Sequence, residues 1–557
     1  MNNELPLGNR TSGYRFFEML PGLASLGTLV GLVVLSFVQP TWAAYALLAL
    51  VALMMLRALR SAVEIVAGNS ALERAQDVDW AARLAQLEHP YQARVTEAPK
   101  AYQLSRHRDN LARISRAPDQ YPKPSELFNA VIISAYNEAY EVITPTLRAL
   151  TRTTYDPKHM IVLFAYEERG GAGIEQTARR LQREFGSEFG HFELVRHPAD
   201  LPNELPGKGS NITHAGRHLQ ALLDERGIDY DRVIVTTLDC DNVPHPAYFD
   251  NVTYEYIVHP NRKRMSFQPI SLFLGNIWDA PAPSRVIANA NSFWNIISSM
   301  RPMSLRNFAS HAQPMSALVE MDFWSVRTIV EDGHQYWRSY FHFNGDYKVI
   351  SIHVPIYQDA VLTESYTRTL TAQFKQLRRW AYGASDVPFV AQRVFSRDNP
   401  APFWGSLRRF AQLLDSHVSL ACIAPLIAFG AWVPFVMSLR LSFMDSLVLD
   451  LPYVIGQMQQ VAMFGILLMI WFGYNMLPER PRRYGNSRSF GMIAQWVLYP
   501  AIGLLFNSLS AMAAQMQLLF GRYRETFDVT EKANHESLNA GTSTAAAPMT
   551  SVTARAA

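Results

Sequence analysis

Cysteine is almost missing from this sequence: only Cys240 and Cys422 occur in 557 residues. Two thiols so far apart exclude a small disulfide-stapled secreted fold, offer no zinc-ligand spacing, and fit a reducing compartment. A charge surplus is missing too. The 51 Lys and Arg against 48 Asp and Glu leave a formal charge of +3, which argues against nucleic acid as a partner, since such a footprint needs clustered basic residues. The third absence is local. A mean hydropathy of -0.04 averages two unlike populations, because long stretches carry no charge at all while others are as polar as a water-soluble enzyme.

From Met19 to Leu56 there is no Asp, Glu, Lys, Arg or His. As one helix this run would measure about 57 Å at ~1.5 Å per residue, nearly twice a bilayer core of about 30 Å. Gln39-Pro40-Thr41-Trp42 divides it into two passes, with Pro as breaker and Trp suited to an interface. A cleaved signal peptide is the competing reading, but its apolar core is only about 7–15 residues. Arg10 and Arg15 before the hairpin, and Arg57 and Arg60 after it, put both ends on the cytoplasmic side by the positive-inside rule.

Apolar runs return at Val418–Leu439, Leu451–Pro478 and Ser489–Gly521. The first two have spanning length, and Arg480, Arg482, Arg483 and Arg488 mark the return to the inside. The third is interrupted by Pro500, is long for one crossing and short for two, and leaves re-entrant, interfacial, hairpin and single-pass arrangements open. Beyond Ala533 the chain is rich in Ala, Ser and Thr without apolar period, which predicts a disordered tail.

The polar middle alternates. Ala130–Ser134, Met160–Ala165, Phe192–Val195 and Arg232–Leu238 are short β-prone runs, separated by the helical patterns Glu141–Thr151, Gly173–Glu184 and Asn211–Leu223. Strands alternating with helices predict a parallel sheet covered on both faces, with ligands beyond the carboxyl ends of the strands. Polar clusters fall there: Ser134-Ala135-Tyr136-Asn137-Glu138, Glu167-Glu168, and Asp239-Cys240-Asp241. Residues 61–124 read as a charged connector without chemistry.

Two carboxylates at a strand end, Asp239 and Asp241, suit a divalent ion bridging a diphosphate, although a turn closing the strand uses the same residue types. Glu331-Asp332 offers a general base for an attacking hydroxyl, or an acidic helix cap. Gln376-Leu377-Arg378-Arg379-Trp380 combines phosphate-binding cations with an aromatic face for a sugar, or forms a juxtamembrane basic helix. Gly207-Lys208-Gly209-Ser210-Asn211 opens a helix with a cation and free N–H groups, an anion-holding arrangement that lacks the phosphate-loop spacing.

In this order, SAYNE, GKGSN, DCD, ED and QLRRW resemble the family 2 glycosyltransferases, especially the membrane-integrated processive branch of cellulose and hyaluronan synthases. The resemblance spans about residues 125–385 and the flanking helices. Phe527-Asp528-Val529-Thr530-Glu531-Lys532 is similar to the F-x-V-T-x-K gating loop of cellulose synthase-like enzymes. It implies an α/β GT-A domain (Rossmann-like, nucleotide-diphospho-sugar transferase) at 125–385. That domain sits between a transmembrane hairpin (1–60) and connector (61–124) on one side, and interfacial helices (386–417) and a transmembrane region (418–521) on the other. A gating loop (522–535) and tail (536–557) follow.

The resemblance further implies an inverting, metal-dependent hexosyltransferase using a nucleotide sugar, UDP-linked by family habit. Ala135, Tyr136, Asn137, Glu138, Glu168, Lys208 and Asp239 would bind donor. Asp241 with Asp239 would hold Mg²⁺ or Mn²⁺, and Asp332 would be the base. Glu331, Gln376, Arg379 and Trp380 would face acceptor or diphosphate, and Phe527, Val529, Thr530 and Lys532 would gate. A multi-pass protein of the bacterial inner membrane with a cytoplasmic catalytic domain follows, in contact with membrane lipids and a saccharide or lipid-linked acceptor; no export partner is implied. AYEERGG stands where many relatives carry an Asp-rich, uracil-contacting turn, and HAQPMSALVEMDFW stands where many synthases carry an acceptor motif. Rival readings are single-sugar transfer to a lipid carrier and a catalytically silent membrane scaffold.

Overall fold

The computed structural model describes residues 4–441 and 445–524. The gating residues Phe527, Val529, Thr530 and Lys532, and the tail, lie outside the described residues.

The first apolar run folds as two helices, α1 (Ser12–Val38) and α2 (Pro40–Gln76), joined at Gln39. Thr11 caps α1 by accepting the Tyr14 N–H at 3.3 Å, and Pro40 opens α2 at a position where no N–H is needed. Helix α2 runs well past Arg60 into the expected connector. There α3 (Trp80–Glu88) and α4 (Leu104–Arg116) follow. Trp80, Leu84 and Leu87 share one core with strand residues Val131 and Ile133. Buried Arg83 holds Glu97 at 2.6 and 2.9 Å and the Tyr102 carbonyl at 2.7 Å. The connector is thus packed onto the α/β domain.

Strands β1 (Phe128–Ala135), β2 (Met160–Glu167), β3 (His191–His197) and β4 (Val233–Asp239) form where expected. Between them run α5 (Tyr140–Leu150), α6 (Gly171–Phe185) and α7 (Lys208–Arg226). Their alternation explains why both faces are covered. Val131 and Ile133 point into the core with Ile143, Leu147 and Ile174, while Ala130 and Ile132 point into the core with Ile212, Ala215 and Leu219. Strand β1 pairs in parallel with both β2 and β4, so the order reverses beside β1, where open α/β sheets form a ligand crevice.

The second half is mixed. It contains β5 (Val243–Pro244), α8 (Tyr248–Val258), β6 (Met265–Leu272), α9 (Ala282–Ser299), β7 (His311–Pro314), α10 (Met315–Glu320), α11 (Glu331–His342), β8 (Lys348–Tyr357), α12 (Tyr366–Ala381) and α13 (Asp386–Val394). The eight strands lie in the order β3-β2-β1-β4-β7-β6-β8-β5. Strand β7 runs antiparallel between β4 and β6, and β6 pairs in parallel with β8.

The C-terminal helices are α14 (Phe403–Phe429), α15 (Trp432–Arg440), α16 (Ser446–Asn475) and a long rod, 486–519. The rod is made of α17 (Asn486–Ala494), α18 (Tyr499–Ile502) and α19 (Leu509–Leu519), joined by 3-10 and π turns at Gln495–Leu498 and Gly503–Ser508. Among the described residues five helical segments, α1, α2, α14, α16 and this rod, are long and apolar enough to cross a membrane. Their ends sort by contact. Thr41, at the start of α2, donates to Asp445, at the start of α16, at 2.6 Å, so the starts of these two helices meet. Tyr14 near the start of α1 shares a core with Trp337 and Val390 of that domain.

The rod differs from the other four. At one end Arg488 donates to the Trp278 carbonyl at 2.5 and 3.0 Å, and Gln495 meets Arg285 of α9 at 2.5 Å. At the other end Arg15 caps the Leu518 carbonyl at 2.5 Å, and the Tyr382 hydroxyl accepts the Arg524 N–H at 3.1 Å. Between these, Ser508 donates to the Leu420 carbonyl at 3.1 Å. Both ends therefore meet the α/β domain with no hairpin turn between them, only turns of altered pitch, an arrangement that fits a segment entering and leaving a membrane on one side better than a single crossing.

Cysteines placed at Arg488 and Arg522 should react with a membrane-impermeant maleimide from one side of a sealed vesicle, and one placed at Gln39 only from the other. Native Cys240 and Cys422 are buried and should give no background. Opposite-side labelling of Arg488 and Arg522 would overturn the arrangement.

Candidate active site

Asp239 ends β4 directly opposite Ser134 of β1. The chain then turns sharply, the Asn242 N–H bonding back to the Asp239 carbonyl at 3.0 Å. That turn buries Asp241, whose Oδ2 accepts the Asp359 N–H at 3.2 Å. Asn211, buried on α7, donates to the Ala165 carbonyl at 3.0 Å and the Ala135 carbonyl at 3.4 Å, tying the ends of β1 and β2 together. At the end of β1, Glu138 accepts the Tyr136 N–H at 2.8 Å, and Asn137 is exposed. A Cβ on Gly170 would lie 1.8 Å from the Tyr136 carbonyl, so this turn approaches β1 as only glycine permits.

Helix α7 begins at Lys208, after Gly207 at φ 153° and ψ -174°, a region essentially confined to glycine. Lys208 Nζ reaches Asp239 Oδ1 at 2.5 Å and the Ala309 carbonyl at 2.6 Å. A Cβ on Gly209 would lie 2.6 Å from the Ser325 carbonyl and 3.1 Å from Glu331 Cβ. This close approach brings the first turn of α11 against the first turn of α7.

Charge is the dominant feature here. Burial pulls the Lys208 ammonium down, but Asp239, Glu331 and Asp332 outweigh it, and the net shift is upward. Burial and then the Asp332 charge push the Glu331 carboxyl up to about 7, against Lys208 and Arg379. Asp332 is raised as well, chiefly by burial and also by Asp239, against Lys208, its bond from the Gly333 N–H at 2.7 Å, and Arg379. DCD, ED and the lysine of GKGSN, far apart in sequence, thus share one field. Arg379 of α12 joins it, and Gln376 is buried beside Gln373 at 3.1 Å. Trp380 keeps 39% exposure, its ring centroid 6.1 Å from that of Phe273, a face available for stacking.

The acidic turn after β2 lies apart from this cluster. Glu167, buried at the strand end, pairs with Arg169, whose guanidinium lies 5.4 Å from the Tyr136 ring centroid. Exposed Glu168 is held by the Ala199 N–H at 3.0 Å and Arg196 at 2.5 Å, which lower its carboxyl. Glu168 therefore serves the loop after β3. Two contributors escape motif reading because they are backbone groups, the Ala309 carbonyl and the Asp359 amide. Asn211 stood inside GKGSN, and its side-chain role was open to notice.

The oxygen donors at Asp239 and Asp241 suit a divalent cation. Lys208 already places positive charge on Asp239, and Asp241 is fixed by its amide partner. Among the described residues no three His, Cys, Asp or Glu side chains form a metal cage, and an ion held by one or two carboxylates plus substrate oxygens needs none.

Residues 234–507 match the family model for "Glycosyl transferase family group 2", a stretch that begins inside β4 and takes in DCD, ED, QLRRW and most of the C-terminal helices. No curated protein matches the chain. Similar solved structures include the mannosyltransferase PcManGT from Pyrobaculum calidifontis in complex with GDP-Man and Mn²⁺. It is 15% identical, with 80% of this chain and 99% of that one covered and a TM-score of 0.38. S. aureus TarS 1-349 in complex with UDP is 8% identical, with 71% and 93% covered and a TM-score of 0.33. The family match supports a glycosyltransferase over just under half of the chain, and the α/β domain is a mixed eight-stranded sheet covered by helices and flanked by apolar ones.

A buried carboxyl with a raised pKa stabilises the fold fully below its unfolded value, and that contribution is lost as pH rises through the folded value. Glu331→Gln should therefore gain stability over the parent as pH climbs from about 4.5 to about 7, with a slope up to about 1.4 kcal/mol per pH unit. Thermal unfolding across pH checks this; a constant difference would refute it.

Proposed function

We propose that this chain is a family 2 glycosyltransferase that moves a sugar from a nucleoside-diphosphate donor to an acceptor hydroxyl delivered at the membrane face, with inversion. The observation carrying this reading is the shared field of Lys208, Asp239, Glu331, Asp332 and Arg379 at the carboxyl ends of β1 and β4. A sugar nucleotide brings negative charge into that crevice, and Lys208 and Arg379 offset it. Ala135, Tyr136, Asn137 and Glu138 line the donor end at β1.

Asp332, partly buried and raised, takes the proton from the acceptor hydroxyl as its oxygen attacks the anomeric carbon in line with the departing diphosphate. Trp380 provides a stacking face for the accepting sugar, and Gln376 and Glu331 flank it. Asp241 and Asp239 would hold Mg²⁺ or Mn²⁺, which would supply countercharge to the leaving diphosphate. The product is a polysaccharide extended over repeated turnovers by a chain set in a membrane through its apolar helices, with the α/β domain on the cytoplasmic face of a bacterial inner membrane.

The test is release of nucleoside diphosphate by purified protein, with Mg²⁺ or Mn²⁺ and a panel of UDP-, GDP- and TDP-sugars. One donor should turn over, and Asp332→Asn should lower kcat by about 10²–10⁴-fold, the range of a lost general base. Asp241→Asn should raise the metal concentration required. Because the Asp332 carboxyl is raised, the acid limb of kcat should lie above the ordinary carboxylate range. Product sizing then decides between a long chain and a single sugar on lipid. Silence across the panel by folded protein in lipid, with Asp332→Asn without effect in cells, would sink the proposal.

A further inference from the structure

The loop between α10 and α11 carries the site's two acidic residues into place, yet its own backbone is strained. Asp322 and Phe323 are consecutive non-glycine residues at φ 55° and 57°, a left-handed conformation that side chains adopt only when their surroundings enforce it. What enforces it comes from α11. Arg338, 2% exposed, donates to the Phe323 carbonyl at 2.6 Å and the Met321 carbonyl at 3.0 Å. Two turns earlier on the same helical face lies Glu331.

A guanidinium so deeply buried is stabilised by a carboxylate beside it. Here that is Glu4, from the other end of the chain. Its Oε1 lies 3.3 Å from Arg338, and its Oε2 accepts the Ser325 hydroxyl at 2.5 Å. Ser325 Oγ in turn accepts the Arg327 N–H at 3.2 Å, and the Ser325 carbonyl is the group against which Gly209 packs. Leu5, buried in one cluster with Tyr336 and Trp337 of α11, fixes the strap beside its carboxylate. On its outer side the loop opens onto a cavity of about 290 Å³ lined by residues including Glu4, Asn203, Arg217, Trp324 and Arg327. Phe323 and Trp324 anchor the inner side of the loop in the core, so Glu4 acts on the side that faces the cavity.

We propose that Glu4 is a positioning residue of the active site: through Ser325 and Arg338 it braces the 321–330 loop, and so sets Glu331 and Asp332 against Lys208. This rests on the catalytic reading given for Asp332, but the brace itself has a readout that needs no catalysis. Hydrogen exchange of the full-length protein in detergent is compared for the parent, Glu4→Gln and Glu4→Asp, alongside kcat and KM for the donor.

Glu4→Gln should speed amide exchange across 321–332 by about tenfold, the scale of one lost charge-assisted hydrogen bond. It should also lower kcat by a similar factor while donor KM stays within about twofold, and Glu4→Asp should restore most of both. Unchanged exchange in Glu4→Gln overturns the proposal. So does a loss of activity that merely tracks a smaller folded fraction, with kcat per folded molecule intact. If the parent turns over no donor, the functional reading fails while the exchange comparison still decides the brace.

Discussion

Three carboxylates, Asp239, Glu331 and Asp332, gather in a crevice that desolvates the last two, and two cations, Lys208 and Arg379, make that arrangement tolerable. Like charges brought out of water repel strongly and would protonate or spread apart. Lys208 opposes this for Asp239 by direct contact, and through the field it limits, without cancelling, the upward shift of the other two. Much of the surrounding architecture serves this balance. Gly207 gives α7 the backbone angles to start at Lys208, Gly209 removes the side chain that would hold α11 away, and α12 brings Arg379 into the same field.

The first four strands were open to reading because each is a short β-prone run between helical patterns, and β1, β2 and β4 are buried on both faces. The next four were not. Strand β6 is fully buried yet contains Ser266, Gln268 and Ser271. Ser266 and Gln268 bond the 307–310 segment, so polar partners replace the apolar period that marks a core strand. Its register also shifts between Pro269 and Ser271. Strand β7 is only four residues, His311–Pro314, too short for any period. Connector 61–124 hid its role for a related reason: its buried Arg83 and Asn110 look like surface residues until their partners Glu97, Tyr102 and Tyr254 are seen.

The candidate site was legible where side chains carry it and opaque where backbone does. Asp239, Asp241, Lys208, Glu331, Asp332 and Arg379 stand out as charged residues at predicted strand or helix ends. The Ala309 carbonyl that shares Lys208 leaves no mark in a sequence, and neither does the Asp359 amide. Glu4 is hidden by distance, since nothing local connects it with Arg338. Glu168 shows the opposite hazard: a carboxylate beside a strand end that structural neighbours Arg196 and Ala199 engage for the loop.

The rod 486–519 is pinned to the α/β domain near both ends and to α14 between them. A beam supported in this way cannot roll about its long axis without breaking bonds at each support, so it acts as a keel for the domain above. Helix α12, which carries Gln376, Arg379 and Trp380, packs along this rod, so those side chains are held wherever the rod is held.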